Sequence, residues 1–265
     1  AGWSKVGGVG ILTPYALEQT YEYLSEKWGD QSRIYNPDVL SNPEIKPESK
    51  SSLEFGLEAR FLSDRIQLDA TYYDMISSDL IVEAEISAAS GYIYASKNVG
   101  EMTNKGVEVL LGISAVRTKD ARINIKFNYS KNVNEVTSLG GLETLILGGQ
   151  WDTDVQAREG QPYGVIFGPG YLKDPNGNNI HVDGLPQQDP EYRILGNYQP
   201  DWRGGVILEL GYKNLSLNTT IDGKFGGDVY SMTTSWGRYA GVLEETLIGR
   251  ETGLVGEGVK DDGAG

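Results

Sequence analysis

Cysteine is absent from this sequence of 265 residues, and histidine occurs only once, as His181. Without cysteine the chain can form neither a disulfide framework nor a thiolate metal site. A lone histidine with no positioned nucleophile and no further ligands does not make a catalytic centre. The sequence therefore predicts no catalytic residues, no metal site and no cofactor, and a function that is not enzymatic.

Basic residues are also scarce, because 23 lysines and arginines face 37 aspartates and glutamates, for a formal net charge of −14. Nucleic acid is not an expected partner, since phosphate binding needs a clustered basic surface. Anionic cargo is disfavoured for the same reason. No apolar run approaches the roughly 20 residues of a transmembrane helix, which excludes helical insertion only, because barrel strands escape hydropathy averages.

The clearest positive signal is a pair of alternating segments within residues 52–76, joined by a polar turn at 63–65. Apolar side chains occupy every second position of each segment, and polar or charged side chains occupy the positions between them. This period of two predicts β-strands with two different faces. Each segment has about 10 or 11 residues, the length that a tilted strand needs to cross a bilayer.

The same alternation recurs in two later hairpins, whose tight turns lie at 118–120 and 213–214. About seven strand candidates result, and short turns alternate with long connections, which predicts an up-and-down antiparallel sheet with its tight turns at one end. The connection at about 137–201 is long enough to be functional or locally folded. Its turn signal at 174–178 predicts a hairpin between residues 164 and 182, in the main sheet or in a loop.

Two architectures remain open for this sheet. In a transmembrane β-barrel the polar side chains line a water-filled lumen, whereas in a soluble β-sandwich the apolar side chains pack against a second sheet. Charges of both signs at mid-strand favour the all-β transmembrane barrel. The side chains that it places toward the lumen are Glu54, Glu58, Arg60, Asp69, Glu108, Arg122, Lys126, Glu209 and Asp222.

The aromatic residues fall into two groups. One group lies on the apolar phase of the strands or near their ends, where interfacial girdles are expected; it consists of Tyr72, Phe127, Tyr129, Trp202 and Tyr212. The other group lies in the long connections, where the rings either stack on sugars or peptide side chains, or pack within the loops and against a partner. The ligand-binding candidates in this second group are Trp151, Tyr163, Tyr171, Tyr230, Trp236 and Tyr239.

Five blocks of sequence cover most of the chain in a characteristic order and spacing. They are SNPEIKPE followed by SSLEFGLEARFLSDRIQLDATYYD, then NVGEMTNKGVEVLLG, GQPYGVIFGPGYLKDPNGN, PDWRGGVILELGYKNLSL and GGDVYSMTTSWGRYAGVLEETLIGRETGLVGEGV. In these blocks the chain resembles the late-barrel region of the SusC/RagA family of TonB-dependent outer-membrane transporters.

The resemblance implies that residues 1–265 are part of one barrel domain of about 22 strands, plugged and surrounded by outer-membrane lipid in a Gram-negative bacterium. It implies active import of an oligosaccharide or oligopeptide, powered by the TonB complex and assisted by a SusD-like surface lipoprotein. The plug domain, the TonB box and the final strands are not expected within this chain. The alternative is a soluble β-sandwich that binds carbohydrate.

Overall fold

The computed structural model describes residues 1–10 and 12–261, and strands dominate it. The described residues contain one α-helix, α1 (Met232–Tyr239), and two 3-10 turns, Ala88–Ser90 and Glu244–Leu247. None of these helices is long and apolar enough to cross a membrane. The strands are, in chain order, β1 (Gly2–Gly8), β2 (Glu22–Tyr23), β3 (Ile34–Tyr35), β4 (Val39–Leu40), β5 (Glu48–Phe61), β6 (Ile66–Ser78), β7 (Ile81–Glu85), β8 (Tyr94–Asn98), β9 (Glu101–Arg117), β10 (Ala121–Ser138), β11 (Thr144–Gln150), β12 (Thr153–Arg158), β13 (Val165–Tyr171), β14 (Ile180–Val182), β15 (Leu185–Pro186), β16 (Gln188–Asn197), β17 (Trp202–Tyr212), β18 (Leu215–Phe225) and β19 (Val259–Lys260).

Seven of the strands form one antiparallel sheet in the order β1-β5-β6-β9-β10-β17-β18. Neighbours in this sheet follow one another along the chain, so the topology is up-and-down. Short turns join β5 to β6, β9 to β10 and β17 to β18, and long connections join the other neighbours. The predicted up-and-down antiparallel sheet and its strand number are confirmed.

The three tight turns lie at the same end of the sheet. The amide of Ser114 donates a hydrogen bond to the carbonyl of Arg65 at 2.7 Å, and the amide of Lys213 donates one to the carbonyl of Asp120, also at 2.7 Å. The turn between β17 and β18 has two residues, and Lys213 adopts a φ of 51° there, as a hairpin turn of this length requires.

The register keeps the two phases of the alternation aligned from strand to strand. Leu57 lies opposite Ala70, and Phe127 lies between Leu111 and Val206. A slip of one residue would move every side chain to the other face. The face that carries these five residues is named the apolar face below, and the opposite one is named the polar face.

The long connection between β10 and β17 is locally folded, as its length predicted. Strands β11, β12, β13 and β16 form a separate four-stranded sheet. The strand β13 pairs with β16. The turn at Asp174 closes only a small loop, in which Lys173 and Asn179 form an isolated antiparallel β-bridge. The predicted turn is present and lies outside the main sheet, but the predicted hairpin between residues 164 and 182 is wrong in its second arm, because β13 pairs with β16 and not with β14.

The described chain divides into two compact units. The first consists of Ala1–Leu145, Ala157–Tyr163 and Asp201–Gly226, and it contains the seven-stranded sheet. The second consists of Ile146–Gln156, Gly164–Pro200 and the described chain from Gly227 onward. The core of the first unit is small, and its buried apolar residues are Ile81, Ala84, Ala95, Val136, Leu139 and Ala157.

Candidate functional site: a two-faced wall and its loops

The apolar face of the sheet is uncovered in the described chain. Leu57 is 59% exposed, Phe55 is 51% exposed and Leu53 is 41% exposed. Soluble monomers rarely expose a continuous apolar surface of this kind, so it marks contact with an apolar medium or partner. The exposed large side chains of this face include Trp3, Leu53, Phe55, Leu57, Phe61, Tyr72, Ile76, Val107, Phe127, Tyr129, Val133, Tyr212, Leu215, Leu217, Ile221 and Phe225.

This exposure counts against the β-sandwich alternative. A sandwich requires Leu53, Phe55 and Ile125 to pack against a second sheet. Leu53 and Phe55 are instead exposed, and Ile125 is of intermediate exposure. The apolar face is therefore not packed against a second sheet within the described chain.

Aromatic rings form a cluster on the apolar face, at the ends of β17 and β18 that lie away from the tight turns. The indole of Trp202 stacks on the ring of Phe225, with centroids 3.8 Å apart and planes 11° apart, and the ring of Tyr129 lies 5.6 Å from the indole. Gly204 and Gly223 are paired across the two strands. A Cβ on Gly204 would lie 3.0 Å from the indole, and a Cβ on Gly223 would lie 2.9 Å from the Phe225 ring, so the absence of side chains lets both rings lie close to the sheet.

A hydrogen-bonded chain crosses three strands on the polar face. Asn124 Nδ2 donates to Glu209 Oε2 at 3.0 Å, and Lys126 Nζ donates to Glu209 Oε1 at 3.0 Å. Ser114 Oγ donates to Asn124 Oδ1 at 3.0 Å. Lys126 and Glu209, two of the residues predicted to face the lumen, thus form an ion pair on the polar face.

The other predicted lumen residues are placed on the same face but are more dispersed. Arg60 Nη2 donates to Glu58 Oε1 at 2.7 Å within one strand, and Glu58 lies opposite Asp69. Glu54 accepts a hydrogen bond from Ser52 rather than from a cation. The register places all nine predicted side chains on the polar face; that this face lines a lumen stays a prediction.

The polar face is covered at the ends of the strands that lie away from the tight turns. Val136 is 3% exposed and Asn134 is 8% exposed there. Asn134 Oδ1 accepts a hydrogen bond from the amide of Tyr163 at 2.7 Å, and Glu48 Oε1 accepts one from the amide of Ile81 at 2.9 Å. Loops of the first unit thus fold onto the polar face and leave the apolar face open.

Three of the six predicted ligand-binding aromatics form one cluster in the second unit. The rings of Trp151 and Trp236 meet edge to face with centroids 4.9 Å apart, and the rings of Trp236 and Tyr239 meet in the same way at 5.6 Å. Trp236 and Tyr239 are one turn apart on α1, whose N-cap Ser231 accepts a hydrogen bond from the amide of Thr234. Trp151 is 74% exposed and Tyr239 is 84% exposed, so ring surface remains available for stacking.

The other three candidates lie elsewhere. Tyr163 belongs to the first unit and lines a cavity of about 220 Å³. Tyr171 lies within electrostatic reach of Arg238, whose guanidinium donates a hydrogen bond to Glu245 and lowers the pKa of that carboxyl. Tyr230 is partly exposed immediately before α1. Ligand contact by any of the six residues stays a prediction.

A further group of exposed aromatic residues was not predicted from the sequence. Tyr15 is 81% exposed, Trp28 is 78% exposed and Tyr23 is 75% exposed, all in the connection between β1 and β5. The signal that could have identified this group is the density of rings and carboxylates in a short stretch. The rings are Tyr15, Tyr21, Tyr23, Trp28 and Tyr35.

An antiparallel sheet with tight turns at one end, long loops at the other, a bare apolar face and a charged opposite face is the wall of an outer-membrane type of β-barrel. A family model described as "TonB dependent receptor-like, beta-barrel" matches residues 8–246, and the chain belongs to that family. The family consists of receptors and transporters that are β-barrels of the Gram-negative outer membrane.

Curated relatives carry the same description. TonB-dependent receptor P26 of Formosa agariphila is 29% identical over 215 residues, which cover 72% of this chain and 22% of the relative. TonB-dependent receptor P3 of the same organism is 25% identical over 251 residues, which cover 84% of this chain and 25% of the relative. TonB-dependent receptor SusC of Bacteroides thetaiotaomicron is 26% identical over 145 residues, which cover 53% of this chain and 14% of the relative. The chain spans a quarter or less of the length of these relatives.

Solved structures share the fold. The RagAB peptide transporter matches with a TM-score of 0.64 and 21% identity, over 83% of this chain and 25% of that chain. The RagAB peptide importer in its "closed-closed" state matches with a TM-score of 0.66 and 21% identity, over 85% of this chain and 26% of that chain. Together with the curated relatives, these matches confirm the resemblance to the SusC/RagA family and the all-β antiparallel fold class.

Proposed function

We propose that this chain forms a wall segment, with its outer loops, of a transporter that imports a large nutrient across the outer membrane of a Gram-negative bacterium. The observation that supports it best is the difference between the two sheet faces at the end away from the tight turns, where Val133 on the apolar face is 59% exposed and Asn134 on the polar face is 8% exposed. Outer-membrane lipid would cover the apolar face, and the polar face would line the lumen.

In this proposal residues 1–265 are part of one barrel domain, and the plug domain, the TonB box and the final strands lie in other parts of the full protein. The TonB complex supplies energy through those parts. A SusD-like surface lipoprotein is the proposed partner, as the resemblance to the SusC/RagA family implies. The cargo is an oligosaccharide or an oligopeptide; RagAB, which shares the fold, is described as a peptide transporter.

The proposed function is passage of a ligand and not chemistry. Trp151, Trp236 and Tyr239 would contact the cargo by stacking, because edge-to-face packing leaves the outer ring surfaces free. The polar face would supply hydrogen bonds of moderate strength that bind cargo and release it. The charges of Lys126 and Glu209 neutralise one another there.

The full-length transporter, co-expressed with its lipoprotein in a host that contains TonB, tests this function. Uptake of labelled oligosaccharides or oligopeptides is expected, and deletion of TonB is expected to abolish it. Extraction from outer membranes should require detergent. A protein that purifies without detergent as a soluble monomer, or whose uptake is independent of TonB, would refute the proposal.

Substitution in the aromatic cluster tests the proposed cargo contact. Trp236→Ala is expected to weaken cargo binding about three- to tenfold, because it removes one stacking surface. Tyr192→Ala is the control, since Tyr192 is a partly exposed ring of the same unit that contacts Phe167. Equal losses in both variants would argue against the cluster as a binding surface.

A further inference from the structure

The excess of negative charge lies in the segments outside the seven-stranded sheet. Residues 1–8, 48–78, 101–138 and 202–225, which contain the seven sheet strands and the tight turns, carry 12 acidic and 13 basic side chains. Residues 9–47, 79–100, 139–201 and 226–265 carry 25 acidic and 10 basic side chains. Each of these four segments leaves the sheet at the end opposite the tight turns. The seven-stranded sheet is therefore nearly neutral, and the net negative charge lies in the segments outside it.

One of the acidic connections, which belongs to the first unit, carries exposed aromatic rings. The segment 12–41, named the arm below, contains the two-stranded hairpin of β2 and β3. Tyr15, Tyr23 and Trp28 of the arm are each at least 75% exposed. Tyr15 also adopts a φ of 68°, a conformation that is uncommon for a residue other than glycine. The arm thus presents its rings to the surface and does not bury them.

A cavity of about 390 Å³ lies between the arm and the strands β7 and β8 of the same unit. Its lining residues include Glu18, Glu22, Glu83 and Tyr15, and in the described part of the chain no lysine, arginine or histidine is among them. Gln19 stabilises the lining of the cavity, because its Oε1 accepts a hydrogen bond from the amide of Ser41 at 2.8 Å. The cavity is within the size range of ligand pockets.

The three carboxylates of the cavity lack a counter-charge. Among the residues that the structure describes, none of Glu18, Glu22 and Glu83 forms an ion pair; Glu22 accepts a hydrogen bond from the hydroxyl of Tyr35. Uncompensated carboxylates beside an exposed aromatic face attract cations, by charge-assisted hydrogen bonds and by cation–π contact. A guanidinium group can make both interactions, since it is planar and donates in pairs.

We propose that the arm and this cavity bind the basic side chains of an oligopeptide cargo. The inference rests on the proposed function, and it selects a peptide rich in arginine and lysine from the broader cargo class. A neutral oligosaccharide would use the rings but would leave the carboxylates uncompensated. An acidic cargo would be repelled by the three carboxylates of the cavity.

The test uses the full-length transporter with its lipoprotein in outer-membrane vesicles. The probes are fluorescent peptides of one length that are rich in arginine and lysine, in serine and glycine, or in glutamate, together with a neutral oligosaccharide of similar size. The basic peptide is expected to bind about tenfold more tightly than the neutral peptide. This preference should shrink when the salt concentration is raised from about 0.05 M to 0.5 M, because salt screens exposed charges.

The variant Glu18→Gln/Glu22→Gln/Glu83→Gln is expected to lose most of the preference for the basic peptide. Its matched control is Glu159→Gln/Glu251→Gln/Glu257→Gln, which removes the same charge from exposed positions of other connections and should keep the preference within about twofold. Tyr15→Ala is a second variant that leaves the carboxylates in place and should weaken basic-peptide binding about threefold. If the triple variant fails to assemble, Tyr15→Ala still tests whether the cavity binds the basic peptide.

Three results would overturn the inference. They are equal binding of all three peptides by the wild type, an unchanged preference in the variants of the cavity, and tighter binding of the oligosaccharide than of any peptide. TonB-dependent uptake would continue in each of these cases, so the proposed transport function would survive. Loss of uptake for every cargo would instead refute the proposed function.

Discussion

The seven-stranded sheet and the second unit are specified in different ways. The strands of the sheet from β5 onward have 11 to 18 residues, and none of the sheet's strand residues has a positive φ. In the second unit β14 has 3 residues, β13 and β16 pair with two shifts of register, and residues such as Gly164 and Trp151 have positive φ. The alternation of side chains specifies the sheet, whereas special backbone conformations and long-range contacts specify the second unit.

The same contrast extends to charge. The segments of the sheet are close to neutral, and the excess of acid lies in the connections. Lipid and a water-filled lumen constrain the side chains of a wall at every second position. Loops are free of that constraint, so they can carry the groups that distinguish one cargo from another.

The largest expected effect comes from a charge on the apolar face. Leu57→Arg should reduce the outer-membrane yield of the full-length protein strongly, because arginine at the middle of the lipid-facing surface costs about 2–4 kcal/mol. Gly56→Arg is the control on the polar face, where a Cβ would meet only Thr71 Oγ1 at 3.8 Å. Equal yields of the two variants would contradict the assignment of the faces.

A substitution at Gly164 should damage the second unit and spare the wall. Gly164 has a φ of 93°, and a Cβ there would lie 1.7 Å from the ring of Tyr198. Gly164→Ala is therefore expected to destabilise this unit by about 2–3 kcal/mol, since overpacking adds to the cost of a left-handed residue. Limited proteolysis of the full-length protein measures it as faster cleavage within residues 164–200.

The matched control for this prediction is Gly177→Ala. Gly177 has a similar φ of 88°, and nothing lies within 4 Å of its Cβ position. This substitution should cost only about 1 kcal/mol, which is the cost of a left-handed backbone conformation for alanine. If both variants are cleaved at the same rate, the contact with Tyr198 does not hold this part of the unit together.

A third substitution tests the stack of Trp202 on Phe225 at the apolar face of the sheet. Trp202→Ala should lower the stability of the barrel by about 0.5–1.5 kcal/mol beyond the loss of buried area, because it removes the stack on Phe225. The measurement is the urea midpoint of unfolding in detergent. Trp3→Ala is the control, since Trp3 is 69% exposed on the same face, and a larger effect at Trp3 would argue against the glycine-backed stack.

The smallest expected effect concerns the turn at Asp174. Hydrogen bonds from the side chain and the backbone of Asn178 lower the pKa of Asp174. The turn should therefore be fully stabilised above the ordinary carboxyl pKa of about 3.9 and loosen as the pH falls through the lower pKa of the folded state. Hydrogen exchange of the Asn176 and Asn178 amides, relative to intrinsic rates, measures the change.

Asp174→Asn is the control for the pH effect, because it keeps a polar side chain of the same shape and removes the titrating group. Its exchange should show no step in this acidic range. Protection that is independent of pH in the wild type would mean that the carboxylate does not hold the turn.

The wall was predictable from the sequence because its information is local. The alternation around Leu57 and the tight turn before Ile66 determine a register that neighbouring strands extend. The stack of Trp202 on Phe225 was only half predicted, since Phe225 and the paired glycines become neighbours only when β17 and β18 align. The polar face was assigned correctly by periodicity, but the pairing of Lys126 with Glu209 depends on a register across 83 residues of chain.

The candidate loop site was less predictable. Trp151 and Trp236 are 85 positions apart in the sequence, and no local pattern indicates that their rings meet. The turn at Asp174 was recognised, yet β13 pairs with β16 because a turn signal identifies a bend and not the strands that pair beyond it. No local pattern in the sequence indicates that Tyr163 belongs to the first unit and not to the second.

The alternation of short turns with long connections also has a consequence for chain entropy. The connection 79–100 has 22 residues and the connection 139–201 has 63, yet closing the longer one costs only about 1 kcal/mol more, since the penalty grows with the logarithm of length. The length of a long connection thus makes only a small difference to the stability of the sheet. A sheet of this kind tolerates changes in the length of its loops without any change in its strands.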